Sequence, residues 1–335
     1  MSAQKVVVIG ATGLQGSSVV TELLKNPATY KVRAVTRDPT KDSAQKLAKQ
    51  GAELWQGDLS DPQSLELAFA DADVIYAMTD FWQSMSGEVE FSQGKSIVDI
   101  ADRVTTLQHF IWSALPDPVQ LSRGRFLNVH HWKSKSNVTE YIREAKPMLW
   151  AKTTTILFPN YFENCLTVPS LYLPLKEKGG AGYIRAFPHG PDTVMPNAAI
   201  ADTGKLVVEI LSDRQRYYKK TIAFYSEALS EAEKMKTLGQ ILDIPVQYQQ
   251  ISSAEFQRKL ERDMPAEIAL DFTEQIMIFE EFGNVYGSDD FIQAHQIQGL
   301  SLQSWSDFVQ SHDLRSKMVG EVDDMAHRNS FPKAS

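Results

Sequence analysis

Cysteine is almost absent: the 335 residues hold one, Cys165. A lone thiol excludes an intramolecular disulfide and any multi-cysteine zinc site, and a disulfide-free chain suits a reducing compartment. Positive charge is also scarce. Forty-two acidic residues face 34 lysines and arginines, for a net charge of −8. This argues against nucleic acid as a main partner, because phosphate binding wants a basic face. No apolar run approaches the roughly 18 residues of a membrane span. Nor does a charged-then-apolar leader precede Val6-Val7-Val8-Ile9. Internal repeats, low-complexity tracts and coiled-coil heptads are missing too. The expectation is a cytoplasmic or nucleocytoplasmic protein, a monomer or homodimer, working on neither membrane nor nucleic acid.

What is present is an ordinary globular mix, 43% apolar and 23% charged. The first half alternates strand and helix signals with short gaps, the rhythm of βαβ units. Strands are expected at 6–9, 31–36, 52–55, 74–77, 109–112 and 153–157. Helices are expected between them at 17–25, 42–49, from Asp61-Pro62, 88–103 and 132–144. Six strands in this order predict an α/β fold, a Rossmann-type doubly wound parallel sheet. After Pro159 the pattern breaks. Proline and glycine cluster between Pro169 and Pro196, and that stretch reads as loop. Helices at 203–211, 230–242, 253–262 and 266–282, with a strand at 245–250, suggest a smaller α+β lid. The division predicted is 1–160 for dinucleotide binding and 161–325 for the substrate or lid domain. Residues 195–212 return to the first part, and 326–335 form a loose tail.

Directly after the first strand stands Gly10-Ala11-Thr12-Gly13-Leu14-Gln15-Gly16. Gly10 permits a tight turn, Gly13 lets the backbone approach a pyrophosphate, and Gly16 allows close helix–strand packing. Amides at the start of the following helix would face the phosphates. An NAD-preferring site usually places an acid at the end of the second strand. Here Thr36 takes that position, followed by Arg37 and, a little further on, Lys41. A guanidinium fork suits a 2′-phosphate, so NADP(H) is the expected dinucleotide. Asp38 could turn towards the ribose, pair with Arg37, or cap the loop before Pro39. Asp58 and Leu59, after the third strand, could meet the adenine or simply cap the next helix.

Together these segments resemble the NmrA-like family, an atypical branch of the short-chain dehydrogenase/reductases. The likeness also rests on Val32 to Pro39, Gly51 to Leu59, Asp73 to Tyr76 and His109 to Ser113. Further on it includes Pro159-Asn160-Tyr161-Phe162-Glu163-Asn164 and the Asp202-x-Gly204 pair. It implies an NADP(H)-binding fold whose members divide into reductases and non-catalytic redox sensors that bind other proteins.

Hydride transfer to a carbonyl needs a proton donor, usually Tyr or Lys. Ordinary members of the superfamily carry Tyr-x-x-x-Lys on the helix corresponding to Val129–Val138, yet no tyrosine lies four before either lysine there. Tyr172 to Lys176 has the spacing but is interrupted by Pro174, and reads as coincidence. Lys135, in Lys-x-x-Val-x-Glu, resembles the lysine of isoflavone-reductase-like enzymes. It would bind the nicotinamide ribose and could assist proton transfer, or could be a solvated lysine. Ser113 stands where the superfamily's serine would, to orient substrate or to satisfy backbone groups. Thr79, Phe81 and Trp82 follow the fourth strand, where open parallel sheets bind ligands; the two aromatics could stack near the nicotinamide or anchor the loop. Tyr161, Phe162 and Asn164 are expected at the nicotinamide end, with Phe162 alternatively core. His130 and His131 point apart on a helix and cannot share a metal. Either could donate a proton at the site mouth, or be a surface or capping histidine. Cys165 reads as buried packing, with no charge nearby to activate it. The resulting expectation is an NADPH-dependent reductase of a small organic carbonyl or activated double bond; the alternative is a sensor that regulates a partner protein.

Overall fold

The computed structural model describes residues 3–318, and the tail expected at 326–335 lies outside them. Val6, Val7 and Val8 are wholly buried, with alternate members packing to opposite faces. Val6 and Val8 join Val19, Val20 and Leu23; Val7 and Ile9 join Phe69, Ile75 and Phe110. An apolar run covered on both sides belongs inside a parallel sheet. It is strand β1 (Gln4–Val8), followed by β2 (Tyr30–Thr36), β3 (Glu53–Gln56), β4 (Val74–Ala77), β5 (His109–Ala114) and β6 (Thr153–Leu157). These run parallel in the order β6-β5-β4-β1-β2-β3. The order reverses between β4 and β1, which opens the crevice in which such sheets take ligands.

Helices α1 (Leu14–Leu23), α2 (Asp42–Lys49), α3 (Pro62–Phe69), α4 (Phe81–Ser84) and α5 (Gly87–Arg103) fill the crossovers. Asp61 caps α3 by accepting from the Gln63 amide at 3.1 Å, with proline at the first helical position. Helix α1 begins at Leu14 rather than the expected Ser17. The glycine motif itself supplies the first turn.

The main sheet has eight strands, not the expected six. The remaining strands are β7 (Asn160–Tyr161), β8 (Leu175–Lys176), β9 (Tyr183–Phe187), β10 (Val194–Ala198), β11 (Lys220–Ala223), β12 (Glu227–Ser230), β13 (Val246–Gln250) and β14 (Ile292–Gln293). Of these, β11 pairs with β6 and β14 with β11, both parallel. Four residues and two residues are too short for a periodic signal; the open edge of β6 recruits them. The stretch read as loop between Pro169 and Pro196 holds β8, β9 and the start of β10. Pro196 is tolerated because β7 pairs only with Asn197 and Ala198, leaving the Pro196 position unpaired on that side.

The Thr203–Ser212 helix packs on α1 at a point of backbone contact. The Gly204 amide donates to the Ser18 hydroxyl at 2.9 Å, and a Cβ at Gly204 would lie 2.3 Å from the Ser18 carbonyl oxygen. A buried charge triad ties β9 to the Glu231–Leu242 helix: Glu231 accepts from Arg185 Nε at 3.0 Å and from Lys234 Nζ at 2.8 Å.

Candidate functional site

At the switch between β1 and β4 the chain turns through Gly10, whose φ of +65° and approach to Met78 leave no room for a side chain. A Cβ on Gly16 would lie 2.2 Å from the Gly10 carbonyl oxygen, backbone against backbone. These glycines hold α1 hard against the end of β1. Gly13 differs. It is exposed, caps α1 without a side-chain acceptor, and a Cβ there would meet only the Gly10 oxygen, at 3.4 Å. Beside it Ala11 is buried, Thr12 half-buried and Leu14 exposed. Uncapped amides with open space above them form an anion-accepting edge, and the residues therefore fit a dinucleotide pyrophosphate.

Gln15 turns inward from this edge. Its amide oxygen accepts from Tyr76 Oη at 3.0 Å and Ser113 Oγ at 2.9 Å, and its Nε2 donates to Tyr161 Oη at 2.8 Å. The network thus gathers Gln15, just past β1, with Ser113 of β5 and Tyr161 of β7. Tyr76 is the member that sequence reading missed, because its strand looks like uniform core. Burial pushes both phenols well above their ordinary range, so neither is a ready proton donor.

Lys135 projects from the His130–Ala145 helix to the end of β4. Its Nζ donates to the Thr79 carbonyl at 2.7 Å and the Thr79 hydroxyl at 2.8 Å, and pairs with Glu90 at 2.8 Å. Glu90 is fully buried on α5 and also accepts from the Thr79 and Ser134 hydroxyls. Burial acts to raise the Glu90 carboxyl, but Lys135 and these bonds outweigh it and hold it below the usual range. Sequence reading missed Glu90 as well. A lone acid on the inner face of an amphipathic helix was its only signal.

The remaining candidates separate. Arg37 is exposed just past β2, near enough to Asp80 to oppose the desolvation that raises that carboxyl, an effect Lys135 shares more strongly. Lys41 is exposed at the start of α2. Asp38 caps its own loop by accepting from the Thr40 amide at 2.9 Å and hydroxyl at 2.6 Å, bonds that lower its carboxyl. Asp58 accepts from the Ser60 amide at 2.8 Å in the turn before α3, and Leu59 packs against the core.

Three aromatic or polar positions expected at the nicotinamide end behave differently. Phe81 is buried, edge-on to Trp82. Phe162 does not face the crevice: it is buried against Trp305 and Phe308, at 5.2 and 5.5 Å between ring centroids, on the lid side. Tyr161, by contrast, reaches Gln15 in the first turn of α1. The Asn164 side chain donates to Asn160 Oδ1 at 3.3 Å. Cys165 is buried, and desolvation pushes its thiol up to about 12. Among the described residues there is no group of three His, Cys, Asp or Glu able to hold a metal, and no helix long and apolar enough to cross a membrane.

Comparison with known proteins agrees with this geometry. An NmrA-like family domain-containing protein of Dictyostelium discoideum is 30% identical, over 89% of this chain and 95% of its own length. The NmrA-like family domain-containing oxidoreductase ptmS of Penicillium ochrochloron is 30% identical over 69% of this chain and 70% of its own. Among solved structures, NmrA, a negative transcriptional regulator, in complex with NADP superposes with a TM-score of 0.66 at 22% identity, covering 98% and 95% of the two chains. The NADPH-dependent quinone oxidoreductase of Escherichia coli, complexed with NADPH, gives 0.70 at 19% identity, covering 92% and 99%. Their likeness is one of fold. The model of the NmrA-like family matches residues 2–310, and the chain belongs to that family.

Proposed function

We propose that this protein binds NADP(H) and reduces a small organic carbonyl or activated double bond with it. The observation that carries the reading is Lys135, a cation locked by a buried glutamate beside the ends of β4 and β5, next to a glycine edge with free amides. Gly10 to Gly16 would hold the pyrophosphate, and Arg37 with Lys41 the 2′-phosphate. Lys135 would take the nicotinamide ribose, and Ser113 would orient the substrate. When bound, the nicotinamide supplies a hydride.

A second reading, a non-catalytic sensor of the NADPH/NADP⁺ ratio that regulates a protein partner, is favoured by the state of that same lysine. An ammonium has three donors, and all three of Lys135's meet protein oxygens. A ribose hydroxyl must displace one of them, so the lysine could serve as a structural latch. NADPH oxidation screened over quinones, enones and ketones, beside Lys135→Ala, separates the two. Turnover that falls at least tenfold in the variant supports the reductase. Tight NADPH binding with no turnover on any acceptor supports the sensor.

A further inference from the structure

One turn before Lys135 on the same helix stands His131. Residues four apart share a helix face. Its ring Nδ1 is hydrogen-bonded to Asp271, whose other carboxylate oxygen accepts the His131 backbone N–H at 3.2 Å. Asp271 is completely buried on the Ala266–Phe282 helix. With Asp271 as the acceptor, the proton of the pair sits on Nδ1 and Nε2 is the ring's other nitrogen. The imidazole plane is set by Phe81, Trp82 and Phe272, with centroids at 5.7, 5.3 and 6.3 Å. His131 is 6% exposed, and its Nε2 is not among the wholly buried, partnerless histidine nitrogens of the described residues, which belong to His109 and His189. A ring held by packing and oriented by a buried acid is the arrangement of a general acid–base group. The nearby phenols, Tyr76 and Tyr161, are pushed the wrong way by burial.

We infer that His131 is the proton donor of the reduction, with Asp271 as its positioning residue, and that the substrate class is an aldehyde or ketone. The inference rests on the reductase reading above. In the step, the carbonyl carbon gains the hydride of NADPH and the C=O π pair moves to oxygen. That oxygen takes the proton from Nε2 of the imidazolium. The ring is left neutral with Nδ1–H still on Asp271, NADP⁺ remains, and water returns the proton to Nε2. A ketone needs such a donor because its hydride adduct is a strongly basic alkoxide. A quinone needs it less, for its reduced anion is a weak base.

The test compares wild type with His131→Asn and Asp271→Asn on a ketone or aldehyde series and on a quinone, with NADPH binding followed by calorimetry. The expected result is a fall in kcat of about 10²–10⁴-fold for carbonyl acceptors. The quinone rate should fall less than tenfold, with KM and NADPH affinity near wild type. Equal losses on both acceptor classes, or none, overturn the inference and leave the reductase reading standing. A wild type that oxidises NADPH with no acceptor overturns both. Independently of turnover, ¹⁵N-histidine NMR of the unliganded protein should show His131 protonated at Nδ1 and bare at Nε2 at alkaline pH. The opposite tautomer overturns the proposal even if the variants fail to fold.

Discussion

Gln15 illustrates how single residues here serve both edge and interior. Its backbone stands in the first turn of α1, while its amide satisfies three buried hydroxyls from strands β4, β5 and β7. Ser113 and Tyr161 are legible in sequence as site candidates. Their meeting at Gln15 is not, because 98 and 146 residues separate the partners. Phe162 went the other way, since a family pattern records that a position is apolar and not which face it takes. In the proposed reading Arg37 is the side chain that would decide cofactor preference. Arg37→Ala should weaken NADPH by about 1.5–3 kcal/mol, the range of a lost hydrogen bond to a charged group, and leave NADH nearly unchanged. Calorimetric titration with both nucleotides checks this, and equal losses would remove the 2′-phosphate from Arg37's account.

At the scale of elements, the legible parts are those with strong local chemistry. The 42–49 and 266–282 helices lie where periodicity puts them. Ser230 caps the Glu231–Leu242 helix through a reciprocal bond with Glu233. What stays illegible is short pairing such as β7, β8 and β14, where long-range edges decide the conformation. The charge triad tying β9 to the Glu231–Leu242 helix is likewise invisible locally, since Arg185 and Glu231 are 46 residues apart. Burial acts to raise Glu231, but Lys234 and Arg185 outweigh it and hold the carboxyl at about 2, below its ordinary 4.5. A folded-state pKa below the unfolded one stabilises the fold above the unfolded value and stops doing so as pH falls through the folded one. The triad's contribution is therefore complete above pH 4.5 and fades on the way to about 2. Glu231→Gln should cost about 3–5 kcal/mol at neutral pH by leaving two buried cations without their anion, and its deficit relative to wild type should shrink at low pH. Urea unfolding at pH 7 and pH 3.5 measures both. A deficit independent of pH would show that the side-chain charge is not what holds the lid.

For the whole molecule, the parallel sheet and its crevice follow from alternating βαβ signals, whereas its final width depends on distant segments. β6 lies between β5 and β11, and β11 is covered in turn by β14. A fragment of residues 3–160 would keep the entire glycine turn and Arg37 yet leave β6 with an unpaired edge. Exposed edges of this kind invite pairing with other chains. The fragment is expected to aggregate where the full chain does not, as measured by light scattering at matched concentration. A soluble, monomeric fragment would show that β11 is dispensable. The same geometry sets a schedule on the ribosome. Between Leu157 and Lys220, synthesis at about 5–20 residues per second takes roughly 3–13 seconds. Throughout that interval the sixth strand of the nascent nucleotide-binding half has β5 on one side and nothing on the other, so its outer row of backbone donors and acceptors stays open to other chains until residue 220 has been made.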